Sequence, residues 1–252
     1  MADRMTYQCR CGATHHSAIT GTPPGWVWCG SELLCDDCAV KRWGQATPFA
    51  VPPLRAGKAT SILLRSGSYL DLADPDCGRI APLDIASGLR QLRFAGQTPR
   101  PYTIAQHSLL VLRLVEPVAA TIDAEKGLHL RRCALLHDAA EAFIHDVTRP
   151  LKALLPDYRA LEQKFEQRLN AHLGLVWNAP RREIVKRADL QALAIERREL
   201  FGCRDRWPVL ERIESDDLQR ITLGRVWPAE EAEERFLDAF AALGAREERI
   251  AA

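Results

Sequence analysis

The stretch that most constrains this chain is Cys133 to Asp146, CALLHDAAEAFIHD, which sets His137, Asp138 and Glu141 in an apolar run and ends on a second His-Asp pair. Read at 3.6 residues per turn, it predicts a helix on which His137, Asp138 and Glu141 fall within an arc of roughly 100°. Ala134, Leu135, Leu136, Ala139, Ala140 and Ala142 are good helix formers and give those groups no polar company. An imidazole and a carboxylate in an apolar setting need partners, and one divalent cation satisfies both. A charged helix face that is simply wet would look the same, so the rest of the chain has to decide.

A chain of 252 residues, 47% apolar and 27% charged, has enough apolar material for a substantial core. The net charge of +1 demands neither nucleic acid nor an anionic membrane as partner. The N-terminal MADRMTYQ carries no apolar leader, and no later run approaches the roughly 20 apolar residues that span a bilayer. A cytoplasmic protein with no membrane partner is expected. Five of the eight cysteines fall before residue 40, which is unlike the spread of a secreted disulfide scaffold and points to metal binding.

Residues 9 to 38 hold two close cysteine pairs, Cys9/Cys11 and Cys35/Cys38, separated by a segment rich in glycine and proline. This is the layout of a zinc ribbon, in which four thiolates hold one structural Zn²⁺ and the ion replaces a hydrophobic core. The first pair is C-x-C rather than C-x-x-C, which leaves Cys29, His15 and His16 as alternative ligands. Neither a basic stripe nor stacked aromatics mark the segment for nucleic acid, so no nucleic-acid partner is expected.

The expected organisation is a zinc-ribbon-like segment over 1–43, a proline-rich linker over 44–60 and a main domain over 61–252. SILLRSGSYLDLADPD offers two short apolar runs around Ser66-Gly67, a β-hairpin. From Pro82 the apolar period becomes helical, and Pro156, Pro180 and Pro228 stand near helix starts. The fold class is therefore all-α, a bundle of roughly six helices with a minor hairpin, preceded by the small ribbon.

Two further residues pose the question raised by the central stretch. His107, in AQHSLLVLRLV, and Asp189, in IVKRADLQALAI, are polar groups on helices that otherwise read as buried. With His137 and Asp138 they make a mixed imidazole and carboxylate set suited to Mn, Fe, Co, Ni or Zn. The order H…HD…D on successive helices resembles the HD-domain metal-dependent phosphohydrolases. Within them the chain looks most like the branch of bacterial 5'-deoxynucleotidases and phage dATP triphosphohydrolases. The resemblance covers about residues 60 to 245 and rests on SGSYLDLADPD, LRFAGQTPRPYTIAQHS, LLHDAAEAFIHDVTRPLK and IVKRAD.

The resemblance implies an HD-domain bundle in which His107, His137, Asp138 and Asp189 hold one catalytic metal and Glu141 is the catalytic acid/base. It makes Arg93 a 5'-phosphate contact and Asp146 a carboxylate near the sugar. Phe94 stands where the deoxynucleotidases have tryptophan. A small-molecule deoxynucleotide substrate and a homo-oligomer are expected. Lysine is scarce, six of 34 basic residues, yet Lys152 and Lys186 fall inside the motif segments, where the phage enzymes bind phosphate. These lysines favour a deoxynucleoside triphosphate, cleaved to deoxynucleoside and tripolyphosphate. A 5'-deoxynucleotidase acting on dNMP, a cyclic-nucleotide or alarmone phosphodiesterase, and a nucleic-acid- or protein-binding module with a vestigial HD site are the competing readings.

Overall fold

The computed structural model describes residues 5–9, 11–17, 27–29, 32–35, 38, 59–75, 77, 80–203, 205–213 and 218–251. The chain is mostly helical, with three two-stranded antiparallel sheets among the described residues. In the N-terminal part β1 (Met5–Gln8) pairs with β2 (Thr14–Ser17), and β3 (Val27–Cys29) with β4 (Glu32–Leu34). Nearly all of the expected 44–60 linker lies outside the described residues. The expected hairpin follows as β5 (Ser61–Leu63) against β6 (Tyr69–Asp71), turned by Gly67 at φ +86°, a conformation open to glycine.

Eight α-helices follow among the described residues. They are α1 (Pro82–Gly88), α2 (Ile104–Ala119), α3 (Ala124–Leu135), α4 (Glu141–Ile144), α5 (Arg149–Leu154), α6 (Pro156–His172), α7 (Ala179–Phe201) and α8 (Ala229–Ala251). Their ends carry local signals: Thr103, Asp123 and Asn178 accept hydrogen bonds from the first free N–H groups of α2, α3 and α7. Prolines open α1, α5, α6 and α7, where a missing N–H costs nothing, and Gly202 closes α7 in the left-handed conformation.

α2 is the central element, packing on α3, α7 and α8, and its face of Ile104, Ala105, Val111 and Val115 is wholly or almost wholly buried. At about 25 cal/mol per Å² of apolar surface, such faces supply the main drive for assembly. None of the described helices is long and apolar enough to cross a membrane.

The hairpin and α1 are fastened to this bundle by buried acids. The Asp84 carboxylate accepts from Ser66 N at 2.8 Å and Ala81 N at 2.9 Å, joining the β5–β6 turn to the start of α1. Glu233 of α8 receives Arg65 at 2.6 Å and Arg90 at 3.3 Å. Gly88 lets α1 approach α4, since a Cβ there would stand 2.2 Å from the Ala142 carbonyl oxygen.

One expectation is corrected. Residues 133–146 are not a continuous helix: α3 stops at Leu135, a turn carries 136–140, and only then does α4 begin. Leu136 leaves helical geometry, and the His137 imidazole takes the Ala134 carbonyl at 2.8 Å, an acceptor that a continuing helix would give to residue 138. Through the turn the backbone closes in i→i+3 bonds such as Ala139 N to Leu136 O and Glu141 N to Asp138 O. The polar residues thus gather through a helix break, not along one helical face.

Candidate metal centre and cleft

Three elements deliver the site. His107 sits fully buried on the first turns of α2, His137 and Asp138 on the α3–α4 turn, and Asp189 in the middle of α7. The Nε2 atoms of His107 and His137 are 3.3 Å apart, and Asp138 Oδ2 is 3.2 Å from the second and 3.6 Å from the first. One ligand atom from each of these three residues lies within 4.8 Å of the other two. Asp189 stands beside the trio, its Oδ1 3.4 Å from His107 Nε2 and its Oδ2 2.6 Å from the Lys186 ammonium.

The hydrogen bonds behind the rings decide what faces the centre. His107 Nδ1 meets Glu196 Oε1 at 2.6 Å, and His137 Nδ1 meets the Ala134 carbonyl. With both Nδ1 atoms directed at acceptors, the two Nε2 atoms face each other across 3.3 Å, where one metal ion would take a lone pair from each ring. Nitrogen and oxygen ligands about 2.1 Å from a common ion lie roughly 3.0–3.4 Å apart, so the observed spacings fit a divalent transition metal.

Glu196 is the residue that sequence reasoning missed. It is fully buried, holds His107, and accepts from Tyr102 Oη at 2.9 Å and Arg93 Nε at 3.2 Å. A signal existed: Glu196 falls seven residues after Asp189, two helical turns along the same face. Burial opposes its charge, but His107 and Arg93 hold the carboxyl below its usual range. Asp138 and Asp189 are likewise ionised against burial, chiefly by the facing histidines.

Arg93, which the resemblance assigns to substrate phosphate, is already tied to three carboxylates. Besides Glu196 its guanidinium lies 3.5 Å from Asp138 and 3.7 Å from Asp189. Phe94 packs edge-on against Phe201, with centroids 5.4 Å apart, and it and Ala95 both adopt positive φ. Two consecutive non-glycine residues in that region are costly, and here the strain sits directly after the site arginine.

Glu141 opens α4, three residues after Asp138. Burial, followed by the charges of Asp138 and Asp146, pushes its carboxyl well above the usual range. Its Oε2 is buried with no partner among the described residues, and its Oε1 is 3.6 Å from the Lys152 ammonium. Lys152 is bound most closely by Glu162. Gln91 ties the segment down, donating to the Glu141 carbonyl and accepting from Asp146 N at 3.4 Å. His145 is exposed at φ +68°, its ring on Gln91, and stands apart from the metal-ligating trio.

The expected lysine pair divides. Lys186 lines an open cleft of about 530 Å³ together with His137, Asp138 and Asp189, whereas Lys152 belongs to the Glu141 side and is not part of that lining. Trp177 and Arg182, which the sequence reading passed over, line the same cleft.

The N-terminal cluster is a second candidate centre. Ligand atoms of Cys9, Cys11, Cys35 and Cys38 lie within 4.8 Å of one another, with Cys11 and Cys35 sulfurs 3.6 Å apart. Thiolates about 2.3 Å from one tetrahedral ion lie close to that distance. The tight turn at Gly12, φ +93°, closes with Gly12 N on the Cys9 carbonyl at 2.9 Å, and Cys35 N donates to Cys9 Sγ at 3.1 Å. The side chains of Cys29, His15 and His16 lie outside what is described.

Fold and site together define a mostly helical protein with a histidine–aspartate cluster around the buried His107 and a separate four-cysteine cluster, each spaced so that it could hold a metal ion. No family model matches the sequence. The chain is 41% identical over 143 residues to "Uncharacterized protein YfdR" of Escherichia coli (strain K12), a match spanning 55% of this chain and 71% of that protein. It is 36% identical over 143 residues to "Uncharacterized protein RCAP_rcc00048" of Rhodobacter capsulatus, spanning 54% and 71%. The chain belongs to the family of these proteins.

Proposed function

We propose that this protein is an HD-domain, metal-dependent deoxynucleotide phosphohydrolase whose preferred reaction converts a dNTP to deoxynucleoside and tripolyphosphate. The observation that carries the proposal is the convergence of His107 Nε2, His137 Nε2 and Asp138 Oδ2 next to a buried Glu141. His107, His137 and Asp138, with Asp189 alongside, would hold one Mn, Fe, Co, Ni or Zn ion. When bound, such an ion acidifies water toward neutrality and neutralises phosphoryl oxygen.

The residues of the chain do the rest. Glu196 and the Ala134 carbonyl keep both imidazoles in the liganding tautomer. Glu141 holds a proton on its carboxyl and delivers it to the departing oxygen, with Lys152 setting its position. Lys186 faces substrate from the cleft wall and offsets negative charge on phosphate. The four-cysteine cluster is assigned one structural Zn²⁺ that organises the N-terminal hairpins.

The test is a screen of dNMPs, dNTPs and NTPs with Co²⁺, Mn²⁺, Mg²⁺ and Zn²⁺, resolving products by chromatography. Tripolyphosphate released from a dNTP is the expected result. Orthophosphate from dNMP with dNTP left intact would replace this reading by the 5'-deoxynucleotidase one, and no hydrolysis under any condition would remove both.

A further inference from the structure

The cleft beside the metal-ligating residues extends beyond what the reaction centre needs. One of its walls is a stripe of α7 in which Ala179, Arg182, Lys186 and Asp189 follow at helical spacing. Lys186 is one turn from Asp189 and Arg182 two, so two cations step outward from the metal-ligating end by about 4.5 and 10.5 Å along the axis. Trp177, just before α7, lines the same cleft.

We propose that Trp177, Arg182 and Lys186 form a polyphosphate subsite that receives the phosphates beyond the one at the metal-ligating residues. This rests on the phosphohydrolase reading above and replaces Lys152 by Arg182 as the second cation of the cradle.

The ring of Trp177 is already in use. It packs against the hydrophobic core and carries the Arg182 guanidinium 5.3 Å from its centroid, so it is not an open platform for a nucleobase. What the cleft lining offers instead is donors: a guanidinium held over the indole, an ammonium, and, on that same indole, an Nε1–H that is buried with no acceptor among the described residues. A buried unpaired N–H is costly, and a phosphate oxygen brought in by Arg182 would satisfy it after a small side-chain shift. Planar stacked guanidinium is the group that binds phosphate with two parallel hydrogen bonds.

Charge supports the same occupant. Asp138, Asp189 and Glu183 against Arg182 and Lys186 leave the cleft one formal charge negative, and a divalent ion at the inner end makes it one positive. The cleft is therefore an anion site only when the metal is present, and the positive charge is spread along its length. An occupant with several phosphates in a row matches that spread, and a single phosphate does not.

The deciding experiment titrates inorganic tripolyphosphate and orthophosphate into the full-length protein at matched free Mn²⁺ and follows binding by calorimetry, independent of turnover. Wild type is expected to favour tripolyphosphate. Arg182→Ala should weaken tripolyphosphate about tenfold, the loss of one charge-assisted contact worth about 1.4 kcal/mol, while changing orthophosphate less than about twofold. Trp177→Phe, which keeps the packing and removes the N–H, should give a smaller loss in the same direction. Arg182 is exposed, so its replacement leaves the fold intact. Equal tripolyphosphate affinity in wild type and Arg182→Ala would overturn the subsite even if dNTP hydrolysis is found. Arg182-dependent tripolyphosphate binding without hydrolysis of any nucleotide would uphold the subsite and overturn the phosphohydrolase reading.

Discussion

At the His107–His137–Asp138 centre every ligand is held by something other than the ion it would bind. Glu196 grips His107, a backbone carbonyl grips His137, and Arg93 spans Glu196 and Asp138, all inside a bundle whose core surrounds them. At the cysteine centre the order is reversed: among the described residues Cys9 and Cys35 are themselves the buried cluster, with Ala13 and Cys38 packed against it. The first centre is built by the fold and would receive a metal. Among the described residues the second has little core besides its ligands, so there the metal would build the fold. Removing metal should therefore silence one region while leaving it folded, and melt the other.

The largest expected effect breaks the first half of that contrast. His137→Ala or Asp138→Ala should abolish metal binding and activity together while the helical domain keeps its unfolding temperature, measured by metal analysis and calorimetry on the same samples. Loss of cooperative unfolding instead would mean that the metal is structural there too. Next in size, Glu141→Gln should lower kcat by about 10²–10⁴ with metal content unchanged. A variant that also loses metal would make Glu141 a ligand.

Glu196→Gln sharpens the claim that the bundle, not the ion, orients His107. Metal affinity should fall about 10–100-fold, read by competition with a chelator, because the imidazole loses its ionised partner. Unchanged affinity would leave Glu196 a purely structural residue.

For the cysteine centre, a strong chelator should release one Zn²⁺ and erase the near-ultraviolet signal of the N-terminal segment, while a chain truncated to begin at Ala59 keeps its catalytic metal and much of its activity. Thiolates would be the ligands, and the Cys38 thiol is pushed up to about 12 chiefly by hydrogen bonding to Cys11 and Cys9. Zinc must displace such protons, so its affinity should rise as pH rises through the neutral range and fall as it drops. An affinity flat between pH 6 and 8 would argue against four thiolate ligands. The smallest expected effect concerns the seam that positions Glu141: Gly88→Ala places a methyl on the Ala142 backbone and should cost about 1–3 kcal/mol of stability in denaturant titration.

The sequence by itself determined the helical class, the β5–β6 hairpin, the helix starts at proline and, Asp189 apart, the residues that gather in the two candidate metal clusters. These follow from short-range rules: apolar period, turn residues, caps, and the clustering of cysteines and of His-Asp in apolar surroundings. Tertiary structure alone decided the rest. That α3 stops at Leu135, so that a turn presents His137 and Asp138, depends on an imidazole taking a backbone carbonyl. That Glu196 stands behind His107, that Arg93 serves three carboxylates, that Lys152 belongs to Glu141 and not to the cleft, and that Arg182 lies over Trp177 are contacts between residues up to 103 positions apart in the chain. Periodicity assigns a residue to a face but not to a partner. The partner is fixed only when whole helices pack, because a buried charge takes whichever opposite group that packing places within a few ångströms.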